Sequence, residues 1–147
     1  MTIQVSTGLR NTMLATSPLR TALNLGFLNI YSGPVPATAD AAPTGATLLL
    51  QITNNSTATG LTFAATASGG AITKNLSETW ANNAVATGTA AFFRFVSSTD
   101  TGALSTTDCR IQGSVNTSGA DLNMTTTSLV STTNYSISSF SVTLPTL

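Results

Sequence analysis

Residues 89–96 read Thr-Ala-Ala-Phe-Phe-Arg-Phe-Val, and this stretch decides the class of fold. Because side chains alternate along a β-strand, Phe93 and Phe95 lie on one face, while Phe92, Arg94 and Val96 lie on the other. Both faces therefore carry apolar residues. We predict a central strand that is covered on both sides, or one whose second face meets a partner.

Arg94 is the only charged residue inside that run. A charge in an apolar strand is costly unless it is paired, so we expect an ion pair with Glu78 or Asp108. This reading gives Arg94 a structural role rather than a functional one.

Similar runs occur on both sides of this strand, separated by clusters of Gly, Pro, Asn and Ser. The clear ones are residues 27–31, 47–53, 61–65, 108–115 and 135–144, and weaker ones lie at 71–74, 121–124 and 128–131. We predict a mainly β chain with a single antiparallel β-sandwich or jelly-roll-like domain of about 7–9 strands over residues 26–147. The strand order stays open.

The last run has an irregular alternation. Phe140, Val142 and Leu144 share one parity, whereas Ile137 has the other. All four face inward only if one residue near 138–139 is extra, which predicts a β-bulge there.

The first 25 residues have a different pattern and are predicted to form an N-terminal helical arm. Ser6 or Thr7 can cap a helix over 7–16, and Pro18 interrupts it and starts a second helical turn over 20–23. A helix this short is marginal alone, so its apolar stripe must pack on the domain or on a neighbouring subunit. The stripe consists of Leu9, Met13, Leu14, Leu19 and Leu23.

Residues 32–45, SGPVPATADAAPTG, contain three prolines and predict an extended surface loop that contacts a partner.

Trp80, the single tryptophan, has two possible roles: an anchor of an interface, or a core residue that closes one end of the sandwich. The interface candidates taken together are Leu9, Met13, Leu14, Leu19, Pro34, Val35, Pro36 and Trp80.

The composition excludes several classes of function. Five basic and five acidic side chains give zero net charge, which provides no basic face for nucleic acid. No run is long and apolar enough to span a membrane, and no cleaved signal is seen. So few charges indicate a surface that is covered by partner proteins. Alternatively, the low charge reflects Thr and Ser that simply occupy the solvent face of the strands.

Residues suited to catalysis are scarce. The chain has no His, and its single Cys109 supports neither an internal disulfide nor a zinc site. Asp100, Asp108 and Asp121 are the candidates for a two-carboxylate site, but each lies in a turn-like or strand-edge context where Asp normally hydrogen-bonds its own backbone. We therefore expect no enzyme, no catalytic residues, no metal and no cofactor.

Residues 26–40 (GFLNIYSGPVPATAD), 110–122 (RIQGSVNTSGADL) and the opening LRNTML at 9–14 resemble segments of small proteins encoded in the structural-gene modules of tailed bacteriophages. The resemblance covers most of the chain from Leu9 onward. It implies a virion structural protein, assembled in the host cytoplasm, and size and composition favour a capsid decoration (cement) protein on the capsid exterior. The implied partners are the major capsid protein and copies of the chain itself, as a dimer or trimer.

Two alternatives remain. A tail or fibre accessory protein would share the β fold and the richness in Thr and Ser. A carbohydrate-binding module would need exposed aromatic rings on one open face, and the residues available for it are Trp80, Tyr31 and Tyr135.

Overall fold

In the computed structural model, which describes residues 3–144, the run at 89–96 supplies a fully buried strand near the middle of a large sheet. The helices are α1 (Thr7–Ala15) and α2 (Leu19–Ala22). The strands are β1 (Gln4–Val5), β2 (Phe27–Ser32), β3 (Thr47–Asn54), β4 (Ala71–Thr73), β5 (Trp80–Asn83), β6 (Gly88–Thr89), β7 (Phe92–Val96), β8 (Arg110–Asn116), β9 (Leu122–Asn123), β10 (Ser128–Leu129), β11 (Asn134–Ser136) and β12 (Ser141–Thr143).

The large sheet has eight strands. Seven follow one another in the order β1-β8-β7-β2-β3-β5-β11, all antiparallel, and β9 adds a short parallel pairing to β8. Two small two-stranded sheets, β10 with β6 and β12 with β4, complete the architecture. The prediction of a mainly β, sandwich-like domain with a short N-terminal helical arm is confirmed.

The core lies against one face of the large sheet. Phe93 and Phe95 project into it, as the alternation predicted, and both are fully buried. They meet the rings of Trp80, Phe63 and Phe140, with ring centroids between 5.0 and 6.2 Å apart. This aromatic cluster fixes the small sheet β4–β12 against the large one, because Phe140 immediately precedes β12.

The helical arm forms as predicted. The side chain of Ser6 accepts a hydrogen bond from the Leu9 N–H and caps α1, and α2 follows Pro18. Leu9 and Leu23 are both fully buried and belong to the same core as the large sheet. The inner side of the arm is thus packed on its own chain.

Two predicted strands differ from the structure. Residues 61–65 make only isolated bridges, Gly26 to Leu61 and Phe63 to Lys74. Residues 135–144 divide into β11 and β12, which belong to different sheets. The change of parity after Ile137 therefore comes from the chain crossing between sheets, not from the predicted bulge, and Leu144 is 58% exposed rather than inward.

Candidate interaction surface

Ser6 fastens the arm to the β domain. Its hydroxyl donates to the Asp108 carbonyl at 2.7 Å and accepts from the N–H groups of Leu9 and Arg110 at 3.2 and 2.9 Å. Gly8 lies so close to the loop before β8 that a Cβ atom there would be 2.3 Å from the Thr107 carbonyl oxygen. The start of α1 is consequently held in one place.

Asp40 provides a second attachment for the arm. Its carboxylate accepts from the N–H and the hydroxyl of Thr7 at 2.8 and 2.7 Å. Burial by itself would raise the pKa of Asp40, but these bonds, with the charges of Arg10 and Arg110, lower it below the ordinary value. The carboxylate is therefore stabilised in its ionised form.

An apolar groove runs between the arm and the small sheet β4–β12. It has a volume of about 410 Å³ and is lined mainly by Met13, Pro18, Leu19, Ile72, Val142 and Leu144. Arg20 is its one charged lining residue. We call this feature the arm groove, and its chemistry fits an apolar side chain better than a charged or sugar ligand.

The predicted interface residues fall into three groups. Leu9 and Trp80 are buried, whereas Met13, Leu19 and Pro36 are half-buried. Leu14, Pro34 and Val35 are exposed, and Leu14 is the most open at 87%. The structure brings Met13 and Leu19 together in the arm groove, with Leu14 next to Met13 in α1.

Trp80 occupies the core, which is the second of its two readings. The side chain is 1% exposed, and its Nε1–H donates to Glu78 at 2.9 Å. The Lys74 ammonium lies 5.6 Å from the centre of the ring. The interface reading of Trp80 is wrong for this chain, because no part of the ring is available to anchor a partner.

The few charges of the chain are largely withdrawn from the surface. All ten lie within residues 3–144, and only Arg10 and Arg20 are well exposed there. Eight large hydrophobic residues are exposed in the same range: Leu14, Leu25, Val35, Leu76, Val85, Leu104, Val130 and Leu144. Soluble domains usually show the opposite balance, since surface charge keeps them apart.

The second face of the large sheet carries a row of polar side chains across five strands. Gln4, Gln112, Arg94, Asn29 and Gln51 lie side by side in register on β1, β8, β7, β2 and β3. Arg94 donates from Nε to the Gln112 side chain at 2.8 Å, and Gln112 donates to Gln4 at 2.9 Å. At the other end, Gln51 donates to Asn29 at 3.0 Å.

The predicted ion pair of Arg94 is wrong. Its hydrogen-bond acceptors are the Gln112 side chain and the Thr38 carbonyl, both neutral. Glu78 instead accepts from Thr62 and Trp80, and Asp108 pairs with Arg110 at 3.2 Å. Register explains the difference, since Arg94 is opposite Gln112 while Arg110 is opposite Val96 at the end of the strands, beside the loop that carries Asp100.

Arg110 is the centre of the ionic contacts in the described part of the chain. It is fully buried and pairs with Asp100, whose side chain is 1% exposed. Its guanidinium also donates to the carbonyls of Asp40 and Ala103 at 3.1 and 2.6 Å. Burial alone would lower the pKa of Arg110, but the hydrogen bonds and charge of Asp100 raise it.

The proline-rich loop at 32–45 covers this polar face. The backbone carbonyls of Pro36, Ala37 and Thr38 accept from Gln112, Gln4 and Arg94. Because the loop has no strand partner of its own, these side chains satisfy its backbone groups. The segment predicted as an outward contact arm is thus partly engaged with its own sheet, and its exposed residues include the apolar pair Pro34 and Val35, called here the Pro34–Val35 tip.

Residues 3–144 contain no cluster of three or more His, Cys, Asp or Glu that could hold a metal ion. The candidate carboxylates have structural partners: Asp100 and Asp108 are held by Arg110, and Asp121 accepts from Ser114. Within the same residues, neither helix approaches the length and apolarity required to cross a bilayer.

Comparison with protein-family models, with curated proteins and with solved structures found no match to this chain.

Proposed function

We propose that this chain is a non-enzymatic virion structural protein, a capsid decoration (cement) protein that binds between major capsid protein subunits and stabilises the head. The observation that carries the proposal is the surface: two well-exposed charges against eight exposed large hydrophobic residues in the described range. Such a surface favours close contact, because little ionic desolvation opposes it. The resemblance of residues 26–40 and 110–122 to tailed-phage structural proteins is the reason for proposing a phage virion as the assembly.

The arm groove and Leu14 are the proposed contact with the capsid. Met13 and Leu19 line the groove, and Leu14 protrudes from the same arm with 87% of its surface free. A specific interface needs about 800 Å² from each partner. That is roughly a tenth of the 7325 Å² of this protein.

Self-association belongs to the same proposal. Decoration proteins act in many copies, so a modest contact repeated around a symmetric shell stabilises it cumulatively. Copies of this chain would meet as a dimer or trimer at local symmetry axes, since oligomers are usually closed and symmetric. The Pro34–Val35 tip is a second exposed apolar point that is suited to such contacts.

A carbohydrate-binding module finds no support in the arrangement of the aromatic residues considered for it. Trp80 and Tyr31 are buried, and Tyr135 is half-buried with its hydroxyl accepting from the Val130 N–H. None of the three offers the open flat ring that sugar stacking requires.

Cryo-electron microscopy of the particle that contains the protein tests the proposal. We expect density for the chain on the icosahedral shell, with residues 7–22 against capsid subunits. Density on the tail alone would overturn the capsid assignment in favour of a tail or fibre accessory protein. Absence of the chain from the particle would overturn the virion assignment as well.

A matched pair of variants tests the contact itself. Leu14→Gln and Leu76→Gln each replace a highly exposed leucine, at 87% and 84%, but only Leu14 belongs to the helical arm, where it follows the groove residue Met13. Burial of a leucine contributes about 1.5–3 kcal/mol, so Leu14→Gln should weaken binding to undecorated shells roughly 10- to 150-fold. Leu76→Gln should bind as the parent does in the same cosedimentation assay. Equal binding by both variants would remove Leu14 from the interface.

A further inference from the structure

The polar face of the large sheet contains a cavity that the proposed function does not use. Its volume is about 240 Å³, and it lies between the sheet and the loop that follows β7. The polar residues that line it are Asn29, Tyr31, Gln51, Arg94, Asp100, Thr101 and Arg110. Since a water molecule takes about 30 Å³ of liquid, the space exceeds what one or two waters need.

Arg94 lines this cavity with an incomplete set of partners. The residue is 1% exposed, Nε donates to Gln112 and Nη2 donates to the Thr38 carbonyl. Nη1 is buried and has no hydrogen-bond partner. Buried donors are nearly always paired, because an unpaired one forfeits its hydration without compensation.

Within residues 3–144, no carboxylate accepts a hydrogen bond from Arg94. Both of its acceptors are neutral, whereas Arg110 has the carboxylates of Asp100 and Asp108. Asp100 lines the same cavity, but its oxygens accept from Arg110 and from the Gly102 N–H. Burial, reinforced by the nearby charge of Arg110, lowers the pKa of Arg94, and the opposing effects of Tyr31, Asp100 and Asp40 do not offset it.

We propose that this cavity binds a small monocarboxylate, whose oxygen accepts a hydrogen bond from Nη1 of Arg94 and whose charge neutralises the guanidinium. The planar guanidinium fork matches a carboxylate in shape and donor spacing. One negative charge balances Arg94, the one cation lining this cavity that has no carboxylate partner among the described residues, while a phosphate dianion would add excess negative charge beside Asp100.

Tyr31 also lines this cavity. Its ring stacks on Phe92 with centroids 5.0 Å apart, which fixes the direction of its hydroxyl. Burial raises the pKa of Tyr31, although Arg94 and Asn29 partly oppose the effect, so the hydroxyl stays protonated at neutral pH and can donate to an anion.

Arginine side-chain NMR of the ¹⁵N-labelled protein tests the site. The chain has four arginines, Arg10, Arg20, Arg94 and Arg110, so the Nε–Hε spectrum is simple, and the signal lost in Arg94→Lys assigns Arg94. Sodium acetate should shift the Arg94 signal saturably with a Kd of about 40 μM or weaker, since a ligand of four heavy atoms gains at most about 1.5 kcal/mol per atom. The exposed Arg20 should not respond.

Acetamide at equal concentration and sodium chloride at equal ionic strength are the controls. No saturable shift with acetate, or an equal shift with acetamide, would overturn the carboxylate site and leave water as the occupant. Tyr31→Phe, which keeps the stacking ring, should weaken acetate binding several-fold without displacing the other arginine signals. An unchanged affinity in Tyr31→Phe would remove the hydroxyl from the site.

The carboxylate can come from a free metabolite or from a glutamate side chain of another protein. Capped glutamate, with capped glutamine as its neutral control, separates the two sources. Binding of acetate alone supports a free small acid, and binding of both supports a site that also admits a side chain. Failure of capsid binding would leave this result untouched, because Leu14 and the arm groove are not part of the cavity.

Discussion

Replacing Arg110 by Met removes the cation that holds two loops to the end of the large sheet. Asp100, with a side chain only 1% exposed, would lose its ion pair while keeping the hydrogen bond from the Gly102 N–H. The carbonyls of Asp40 and Ala103 would lose a donor at the same time. A buried charge that loses its partner typically costs about 3–5 kcal/mol. Asp108 is 28% exposed on its side chain, so its share is below about 1 kcal/mol.

The expected loss for Arg110→Met is therefore about 4 kcal/mol in the free energy of unfolding. For a chain of 147 residues, 1 kcal/mol corresponds to about 3 °C in Tm, so the melting temperature should fall by roughly 10–15 °C. Urea unfolding followed by tryptophan fluorescence measures the free energy, because the single Trp80 is buried in the core. Arg20→Met, at a well-exposed position, is the matched control and should change stability by less than about 0.5 kcal/mol.

A double-mutant cycle isolates the ion pair from the other contacts of Arg110. Adding Asp100→Asn to Arg110→Met removes the stranded charge, so the double variant should be less destabilised than the sum of the two single variants, by about 2 kcal/mol or more. Strict additivity, or a loss in Arg110→Met no larger than in Arg20→Met, would refute the assignment of Arg110 as the ionic fastening of the loops.

Two further predictions concern the attachment of the arm. Gly8→Ala places a Cβ 2.3 Å from the Thr107 carbonyl oxygen, and overpacking against rigid backbone should cost about 1–3 kcal/mol in urea unfolding, while Asn11→Ala, exposed on the same helix, should cost nothing. Asp40 has a lowered pKa in the folded chain, so its stabilising effect is fully present above the ordinary carboxyl value of 3.8 and is lost as pH falls through the lowered pKa. Asp40→Asn should therefore destabilise the protein at pH 6, and the difference from the parent should shrink as the pH falls below 3.8. A difference that is constant with pH would contradict the role of Asp40.

Local features of the fold were predictable because they depend on neighbours in sequence. The alternation at 89–96 placed Phe93 and Phe95 in the core, and the cap at Ser6 placed the start of α1. The division of residues 135–144 between two sheets could not be predicted. The alternation of side chains does not show that the chain leaves one sheet after β11 and enters another at β12.

The candidate sites depend on pairings that are distant in sequence. Gln4 and Gln112 are 108 residues apart, and no local pattern states that they share a row with Arg94. One signal was present: β2, β3, β7 and β8 each carry a large polar residue in the interior of the strand, at Asn29, Gln51, Arg94 and Gln112. Four such interruptions in otherwise buried strands indicate a polar layer, but only the register shows which residues meet.

The bonds of Ser6 to Asp108 and Arg110 also set an order of events during synthesis. The partners of Ser6 are 102 and 104 residues further along the chain, so at about 5–20 residues per second the ribosome delivers them roughly 5–20 s after Ser6 itself. Over that interval the arm has neither its β8 partner nor its place in the core, and Leu9 and Leu23 remain uncovered. For several seconds the nascent chain thus exposes the apolar side of its helical arm. During this period chaperones or neighbouring nascent copies can bind the arm.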